Sequence, residues 1–253
     1  MRINKSEKKY FEDAYKWSLK PVKDISFSLY SANTWKTFQK YISDNKTIID
    51  LGCGAGVLLY NINKIAKKYN NCNVLGYDFS EEAILYARKL CPEVKFVIGD
   101  VVDTKFEDNT FDIVASTMTI EHVDDEKFIE EVSRIIKPKG AFLLNTVMKT
   151  DRAWYYLKDK NGESVLELTH LREYTNTDEL ISKLEKYNFK PAFLETPRIK
   201  FSILDFILLR LARRFKNKYF LDVADKDIVV KIRKMLKIPI PGYFAIEVIA
   251  TKE

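Results

Sequence analysis

The chain has 253 residues, 46% hydrophobic and 31% charged, with a formal charge of +6. That length buries a large single core, and the composition is that of a soluble globular protein, not a disordered or fibrous one. No run of about 18 uncharged apolar residues is present, the opening MRINKSEKKYFED lacks a signal-peptide core, and Cys53, Cys72 and Cys91 form no CxxC pair. These features argue against a disulfide or zinc framework of cysteines and lead us to expect a reducing, cytoplasmic setting.

Residues 6–19 and about 26–43 read as two helices, with Tyr10, Phe11, Tyr15, Trp17, Tyr30 and Trp35 at helical spacing. They would form a helical cap over residues 1–44, with ordinary helix packing as the role of most of these aromatics and Tyr10 and Tyr30 the ones to test for more. The pattern then alternates. TIIDL is a short apolar strand and AGVLLYNINKIAKKY an amphipathic helix. NVLGYDF is a strand, followed by the helix SEEAILYARKL, which Ser80 can cap with acids in its first turn. VKFVIGD and FDIVAS are strands three and four, DEKFIEEVSRII a helix, and KPKGAFLLNTV a turn feeding strand five. TNTDELISKLEKYNF is a helix capped by Thr175 or Thr177, KPAFLETPRIKF a sixth strand and GYFAIEVIATK a seventh.

Strands alternating with helices predict an α/β fold, Rossmann-like and doubly wound around a mainly parallel sheet. Right-handed crossovers place the strand-to-helix loops along one edge, where such sheets bind ligands. The whole chain reads as a single domain, with residues 45–147 as its cofactor-binding core. Between the last two strands, residues 200–240 read as two helices, about 202–219 and 225–237.

The glycine loop after the first strand is G-x-G-x-G, at Gly52, Gly54 and Gly56, and does not match the dinucleotide spacing G-x-G-x-x-G. The loop also begins with a carboxylate, Asp50. Beside a pyrophosphate that charge would repel; beside a cation it would attract. S-adenosylmethionine has an ammonium and a sulfonium and no phosphate. Asp78 and Asp100 end the next two strands, placed to accept from ribose hydroxyls and from an adenine amino group. Singly, an acid at a strand end is often a turn former. Three acids at successive ends of one sheet suggest one ligand.

TIIDLGCGAG, VLGYDFS, FVIGDVVD, FDIVASTMTIEHV and IIKPKGAFLLNT, over residues 45–147, resemble in order the motifs of class I S-adenosylmethionine-dependent methyltransferases of the small-molecule type. The resemblance implies a seven-stranded sheet with one antiparallel, C-terminal strand. It implies that Asp50, Gly52, Cys53, Gly54 and Gly56 border the methionine part of S-adenosylmethionine, and that Asp78 with Phe79 holds the ribose. Asp100 with Val101 would hold the adenine, and Ser116 and Thr117 would offer backbone groups to the amino-acid end. S-adenosylhomocysteine would be the product.

Methyl transfer from a sulfonium needs alignment of the nucleophile and, for a hydroxyl or a protonated amine, a proton acceptor. Glu121 and His122 follow strand four on the cofactor edge and are the nearest candidates. His170 and Tyr174, in HLREYT after strand five, are candidate catalytic residues on a loop that leads into a helix. Each has a plainer alternative: His122 packed at a helix start, and Tyr174 in the core. Glu121, His122 and Asp125 would be the only metal-ligand types grouped locally, and no resident metal is expected.

The Asn/Asp-Pro-Pro-aromatic signature of adenine N6 methylation is absent after strand four, where STMTIEH stands. This counts against amino-group methylation of DNA bases, and the resemblance to the small-molecule branch implies a small or lipophilic acceptor, methylated on oxygen or carbon, with nucleic acid disfavoured. RNA or protein methylation, and a non-catalytic cofactor-binding module, are the alternatives. Residues 198–240 hold 12 Lys/Arg and 4 Asp/Glu, whereas the remainder holds 30 and 32. Within 202–219, apolar Leu204, Ile207, Leu208, Leu211 and Phe215 share one helical stripe, and Arg210, Arg213, Arg214, Lys216 and Lys218 cluster towards its end. Three uses fit: a buried lid, peripheral contact with an anionic membrane, or contact with RNA phosphates or an anionic substrate.

Overall fold

Short apolar runs bounded by turn formers become the strands at the centre of the structure. A computed structural model describes residues 30–224 and 226–253. The helix expected over 6–19, with Tyr10, lies outside the described residues.

The strands are β1 (Thr47–Leu51), β2 (Asn73–Asp78), β3 (Lys95–Ile98), β4 (Phe111–Thr117), β5 (Ile136–Lys149), β6 (Phe189–Glu195), β7 (Arg198–Ser202) and β8 (Lys237–Lys252). They form one sheet in the order β3-β2-β1-β4-β5-β8-β6, with β7 also paired to β8. β1 to β5 pair in parallel, and β8 runs antiparallel to β5, β6 and β7. β8 is therefore the one strand directed against the rest. The expected sixth strand is two, because the chain breaks at Thr196-Pro197 and the Pro197 carbonyl accepts from Ala245 N at 2.8 Å.

The helices are α1 (Ala32–Phe38), α2 (Val57–Ala66), α3 (Glu81–Leu90), α4 (Asp125–Ile135), α5 (Thr177–Lys186), α6 (Ile203–Phe215), α7 (Tyr219–Val223) and α8 (Asp227–Met235). α1 starts later than expected because Ser31 caps it, accepting from Thr34 N. Ser80 caps α3 as its sequence implies. On α5 the cap is Asn176, between the two threonines expected to serve, and it accepts from Glu179 N at 3.0 Å.

Both faces of the sheet are covered, which is why its central strands are apolar runs, not alternating ones. On one face Phe128, Ile129 and Val132 of α4 and Leu180 and Leu184 of α5 pack on Phe142, Leu144 and Val248. On the other, Phe38, Ile42, Leu58 and Ile62 pack on Ile48, Ile113 and Leu143. Each such fully buried side chain contributes about 1.5–3 kcal/mol.

The basic insert holds three helices, α6 to α8, where two were expected. Arg233 is buried and binds them together. Its Nε and Nη2 reach the Asp205 carboxylate at 2.6 and 3.1 Å, and Nη1 reaches the Ala224 carbonyl at 3.1 Å. No helix among the described residues is long and apolar enough to cross a membrane.

Candidate active site at the carboxyl edge of the sheet

The glycine loop follows β1 directly. Gly52, Gly54 and Gly56 all have positive φ, at 73°, 50° and 83°. That backbone is costly for residues with a Cβ and open to glycine. At Gly52 a Cβ would lie 2.2 Å from Thr119 Oγ1. The loop hangs from β2, since Gly52 N and Cys53 N both donate to the Tyr77 carbonyl at 2.8 and 3.1 Å.

Asp78 completes that suspension. One oxygen accepts from Gly54 N at 2.8 Å and the other from Ser80 N at 2.9 Å. Burial raises its pKa, and those backbone donors oppose the rise. Asp50 is also buried, and its Oδ1 has no hydrogen-bond partner. Burial, and then repulsion from Asp78, raise its pKa well above the ordinary carboxylate range. An unpaired buried carboxylate is costly. A cationic ligand on this edge would remove the cost, and a pyrophosphate would add to it. Asp100, half-buried beyond β3, accepts from Val102 N at 3.1 Å, and Val101 is buried beside it.

Ser116 ties β4 to β1, its Oγ donating to the Leu51 carbonyl at 2.8 Å. The Tyr30 hydroxyl meets Thr117 Oγ1 at 2.7 Å and donates to the Ser116 carbonyl at 3.3 Å. Burial raises its pKa, aided by the negative charges of Asp50, Glu247 and Glu121. Tyr30 therefore closes over the end of β4. Ser31 holds it there, its N donating to both Glu247 oxygens at 3.0 Å.

A second cluster adjoins the first. The chain leaves β5, loops outward and returns at Tyr174, whose N donates to the Val147 carbonyl at 3.1 Å. This return brings His170 beside His122, with ring centroids 4.8 Å apart and edge-to-face. Leu171 N donates to the Glu121 carbonyl at 2.8 Å, which fixes the loop against the turn after β4. The Glu121 side chain is fully buried. Thr146 Oγ1 donates to its Oε2 at 3.0 Å, and Oε1 has no partner. Burial pushes its pKa up to about 7, against the pull of His170 and Thr146. Burial and the neighbouring His170 push His122 down to about 3, so it is neutral at physiological pH. Burial also opposes charge on His170, but the Glu173 carboxylate 2.8 Å from Nδ1, together with Glu121, makes the net shift upward.

Two expectations change here. Asp125 does not join Glu121 and His122; its carboxylate is taken by Tyr174 OH at 2.8 Å, Lys183 at 2.6 Å and Arg172 at 2.5 Å. His170 stands in its place, and the ligand atoms of Glu121, His122 and His170 all lie within 4.8 Å of one another. Tyr174 is buried in the main core with its hydroxyl donating to Asp125, the core position that was its plainer alternative. Glu173, three residues after His170 in HLREYT, is the residue that orients that imidazole, and that spacing was the available signal.

A doubly wound sheet with a glycine loop after its first strand and acids at three successive strand ends, Asp50 and Asp78 buried and Asp100 half-buried, defines an α/β fold with a candidate ligand site at its carboxyl edge. A family model described as a methyltransferase domain matches residues 42–196. The chain belongs to this family, the class I S-adenosylmethionine-dependent methyltransferases, and the family's cofactor is S-adenosylmethionine. A probable S-adenosylmethionine-dependent methyltransferase of Mycolicibacterium smegmatis is 27% identical over 146 residues, 57% of this chain and 52% of the relative. A sterol 24-C-methyltransferase of Aspergillus fumigatus is 32% identical over 120 residues, covering 45% and 31%. The ubiquinone/menaquinone biosynthesis C-methyltransferase UbiE of Rickettsia prowazekii is 31% identical over 107 residues, covering 39% and 43%. The chain thus spans about half, or less, of the curated relatives it matches. Among solved structures, the YcgJ protein of Bacillus subtilis superposes with a TM-score of 0.57 at 18% identity, over 88% of this chain and 99% of that one. A Haemonchus contortus phosphoethanolamine N-methyltransferase 2 gives 0.61 at 19% identity, over 95% and 57%. These two likenesses show the fold.

Proposed function

We propose that this chain is a single methyltransferase domain that transfers a methyl group from S-adenosylmethionine to oxygen or carbon of a small, lipophilic acceptor. The observation that carries it is the unpartnered, buried Oδ1 of Asp50 at the mouth of a left-handed glycine loop. A cationic methionine end would satisfy it. When bound, that cofactor supplies an electrophilic methyl on a sulfonium. Gly52 and Gly54 would let the backbone approach its methionine part, with Cys53 and Gly56 completing the loop. Asp78 with Phe79 would take the ribose, Asp100 with Val101 the adenine, and the ends of Ser116 and Thr117 the amino acid.

The acceptor would lie on the side of β4 and β5. There Glu121, His122 and His170 face the methyl, to orient a hydroxyl or an acidic carbon and take its proton. Tyr155, Tyr156, Tyr243 and Phe206 form an aromatic wall nearby, with Tyr155 and Tyr156 ring centroids 4.4 Å apart and Tyr156 and Phe206 5.7 Å apart. Such a wall favours a flat or lipophilic acceptor, in keeping with relatives whose names include sterols and quinones.

The insert supports contact with a membrane surface as the route to that acceptor. Phe206, Ile207, Phe215, Tyr219 and Ile228 are exposed, beside Arg210, Arg213, Arg214, Lys216 and Lys218. Exposed apolar groups rimmed by cations suit an anionic interface. The protein would then work in the cytoplasm, at or near a membrane.

Calorimetry with S-adenosylmethionine, S-adenosylhomocysteine and NAD tests the donor, and a labelled-methyl assay on cell extract tests the acceptor. Binding of the two sulfur compounds and not NAD is expected, with label entering an organic-extractable product. Label in RNA or protein would move the acceptor to a macromolecule, and no transfer to any acceptor would leave a binding module.

A further inference from the structure

We propose that Tyr243 and Glu173 form the polar end of the acceptor site, where a hydroxyl on a flat ring donates to Glu173 Oε2 and accepts from the Tyr243 hydroxyl. Tyr243 lies on β8 directly across from Lys149 of β5 and is fully buried. Among the described residues its hydroxyl has no hydrogen-bond partner, and neither has Glu173 Oε2, which is also buried. Glu173 Oε1 is already spent, accepting from Leu166 N at 2.7 Å and standing 2.8 Å from His170 Nδ1. Lys149 Nζ stays 3.9 Å from Oε2, beyond a hydrogen bond, and turns to Glu163 Oε2 at 3.2 Å. Burial raises the Tyr243 pKa, and the Glu173 carboxylate raises it further. The two groups therefore face each other, yet no hydrogen bond of ordinary length and angle joins them.

The surroundings are those of a ligand site. Val147 and Ile240 share the Tyr243 cluster, and Met118 and Phe201 pack against it. Two polar groups converging in an apolar setting are the usual make-up of a small-molecule site. A row of rings leads there from the surface. Phe206 meets Tyr156 at 5.7 Å, Tyr156 meets Tyr155 at 4.4 Å, and Tyr155 meets Tyr243 at 6.4 Å between centroids. Phe206 and Tyr156 are exposed, Tyr155 is half-buried and Tyr243 is buried, so the row runs inward. Met118 joins the cluster from the position just after β4, on the sheet edge that carries the glycine loop.

A hydroxyl satisfies both groups at once, as donor to one and acceptor from the other. A carbonyl or ether oxygen would serve Tyr243 and leave the Glu173 carboxylate unpaired. An apolar substituent would leave both unpaired, which is costly in a buried site. Through its other oxygen Glu173 holds His170, so the anchored hydroxyl sits one carboxylate away from that imidazole. The anchored hydroxyl is not the atom methylated. Only the naming of the ring as methyl acceptor rests on the proposed function.

The test uses full-length protein saturated with S-adenosylhomocysteine and takes 2-naphthol as the probe, with 2-methoxynaphthalene and naphthalene as the matched ether and hydrocarbon. Binding is read by calorimetry and by saturation-transfer NMR. One 2-naphthol per chain is expected, with both matched compounds weaker by at least about 10-fold. Tyr243→Phe should erase that preference while S-adenosylhomocysteine affinity and the melting temperature hold, because it removes an unpaired hydroxyl and keeps the ring. Glu173→Gln should reduce the preference too, and the double variant should lose no more than the larger single one. Failure of 2-naphthol to bind the parent, equal binding of the three compounds, or a preference intact in Tyr243→Phe overturns the site. A lower melting temperature in Tyr243→Phe with 2-naphthol binding unchanged overturns it as well and makes the pair structural. Loss of S-adenosylhomocysteine binding by the parent would instead overturn the functional reading, and the three compounds, compared again without it, would still decide the site.

Discussion

Gly54 N donates to Asp78 Oδ2 at 2.8 Å, so the carboxylate that ends β2 holds the glycine loop that ends β1. The other oxygen takes Ser80 N at 2.9 Å. One side chain thereby shapes the loop and starts the next helix. Hydrogen bonds to a charged acceptor contribute about 1.5–3 kcal/mol each. Asp78→Ala should lower both thermal stability and S-adenosylmethionine affinity, the latter by at least about 10-fold, with Asp78→Asn between it and the parent. Calorimetry and a melting curve on the three proteins check this; unchanged affinity in the alanine variant would refute the ribose assignment.

Gly52→Ala should destabilise the fold. The φ of 73° costs an alanine about 1–2 kcal/mol, and the new methyl would overlap Thr119 Oγ1, which stands 2.2 Å from its position. Gly162, also at positive φ, has open space around it. Gly162→Ala should therefore show the backbone cost alone, and the difference between the two in denaturant unfolding measures the overlap.

Asp112 gives the acid limb of stability a specific source. Lys137 stands at 2.8 Å, Lys46 at 3.6 Å, and Thr47 N donates to it at 3.0 Å. Burial raises its pKa, but these partners outweigh burial and the net shift is downward. A depressed carboxylate adds stability that is fully present above the unfolded value of about 3.9 and lost as pH falls through the lower folded value. Asp112→Asn should lower stability at pH 7 and flatten its decline between about pH 5 and 3, read by urea unfolding across that range. An acid limb identical to the parent's would show that other carboxylates govern it.

The insert should bind vesicles containing phosphatidylglycerol at low salt and release them as salt rises, because charge attraction is screened. Arg213→Ala with Arg214→Ala should abolish flotation while leaving cofactor affinity intact, as both side chains are exposed in the last turn of α6. Equal flotation with neutral phosphatidylcholine would make the contact apolar alone; no flotation at low salt would remove it.

The strand-end acids proposed to seat the donor can be picked out in sequence because each is local. Asp50, Asp78 and Asp100 each end a short apolar run, and the alternation of runs with amphipathic helices places them on one edge. The acid–imidazole cluster resists that approach. His170 reaches His122 only because Tyr174 pairs its backbone with the end of β5, and no periodicity in HLREYT announces a bridge to Val147. The same segment shows why Tyr174 misleads. A polar-tipped aromatic on a loop suggests an acceptor contact, while its hydroxyl is in fact spent on a buried aspartate from another helix. The division of the sixth strand was signalled by Pro197, and the start of β8 was hidden by Pro239 and Pro241, which an edge position tolerates.

Ser202, the last residue of β7, pairs with Lys237, the first of β8. All of α6, α7 and α8 therefore departs from and rejoins the sheet at two points one strand spacing apart, about 4.8 Å. A cassette with adjacent ends can be lengthened, trimmed or exchanged without shifting a single register in the sheet behind it. Such architecture lets the surface of the insert change while the glycine loop and the strand ends behind it keep their geometry.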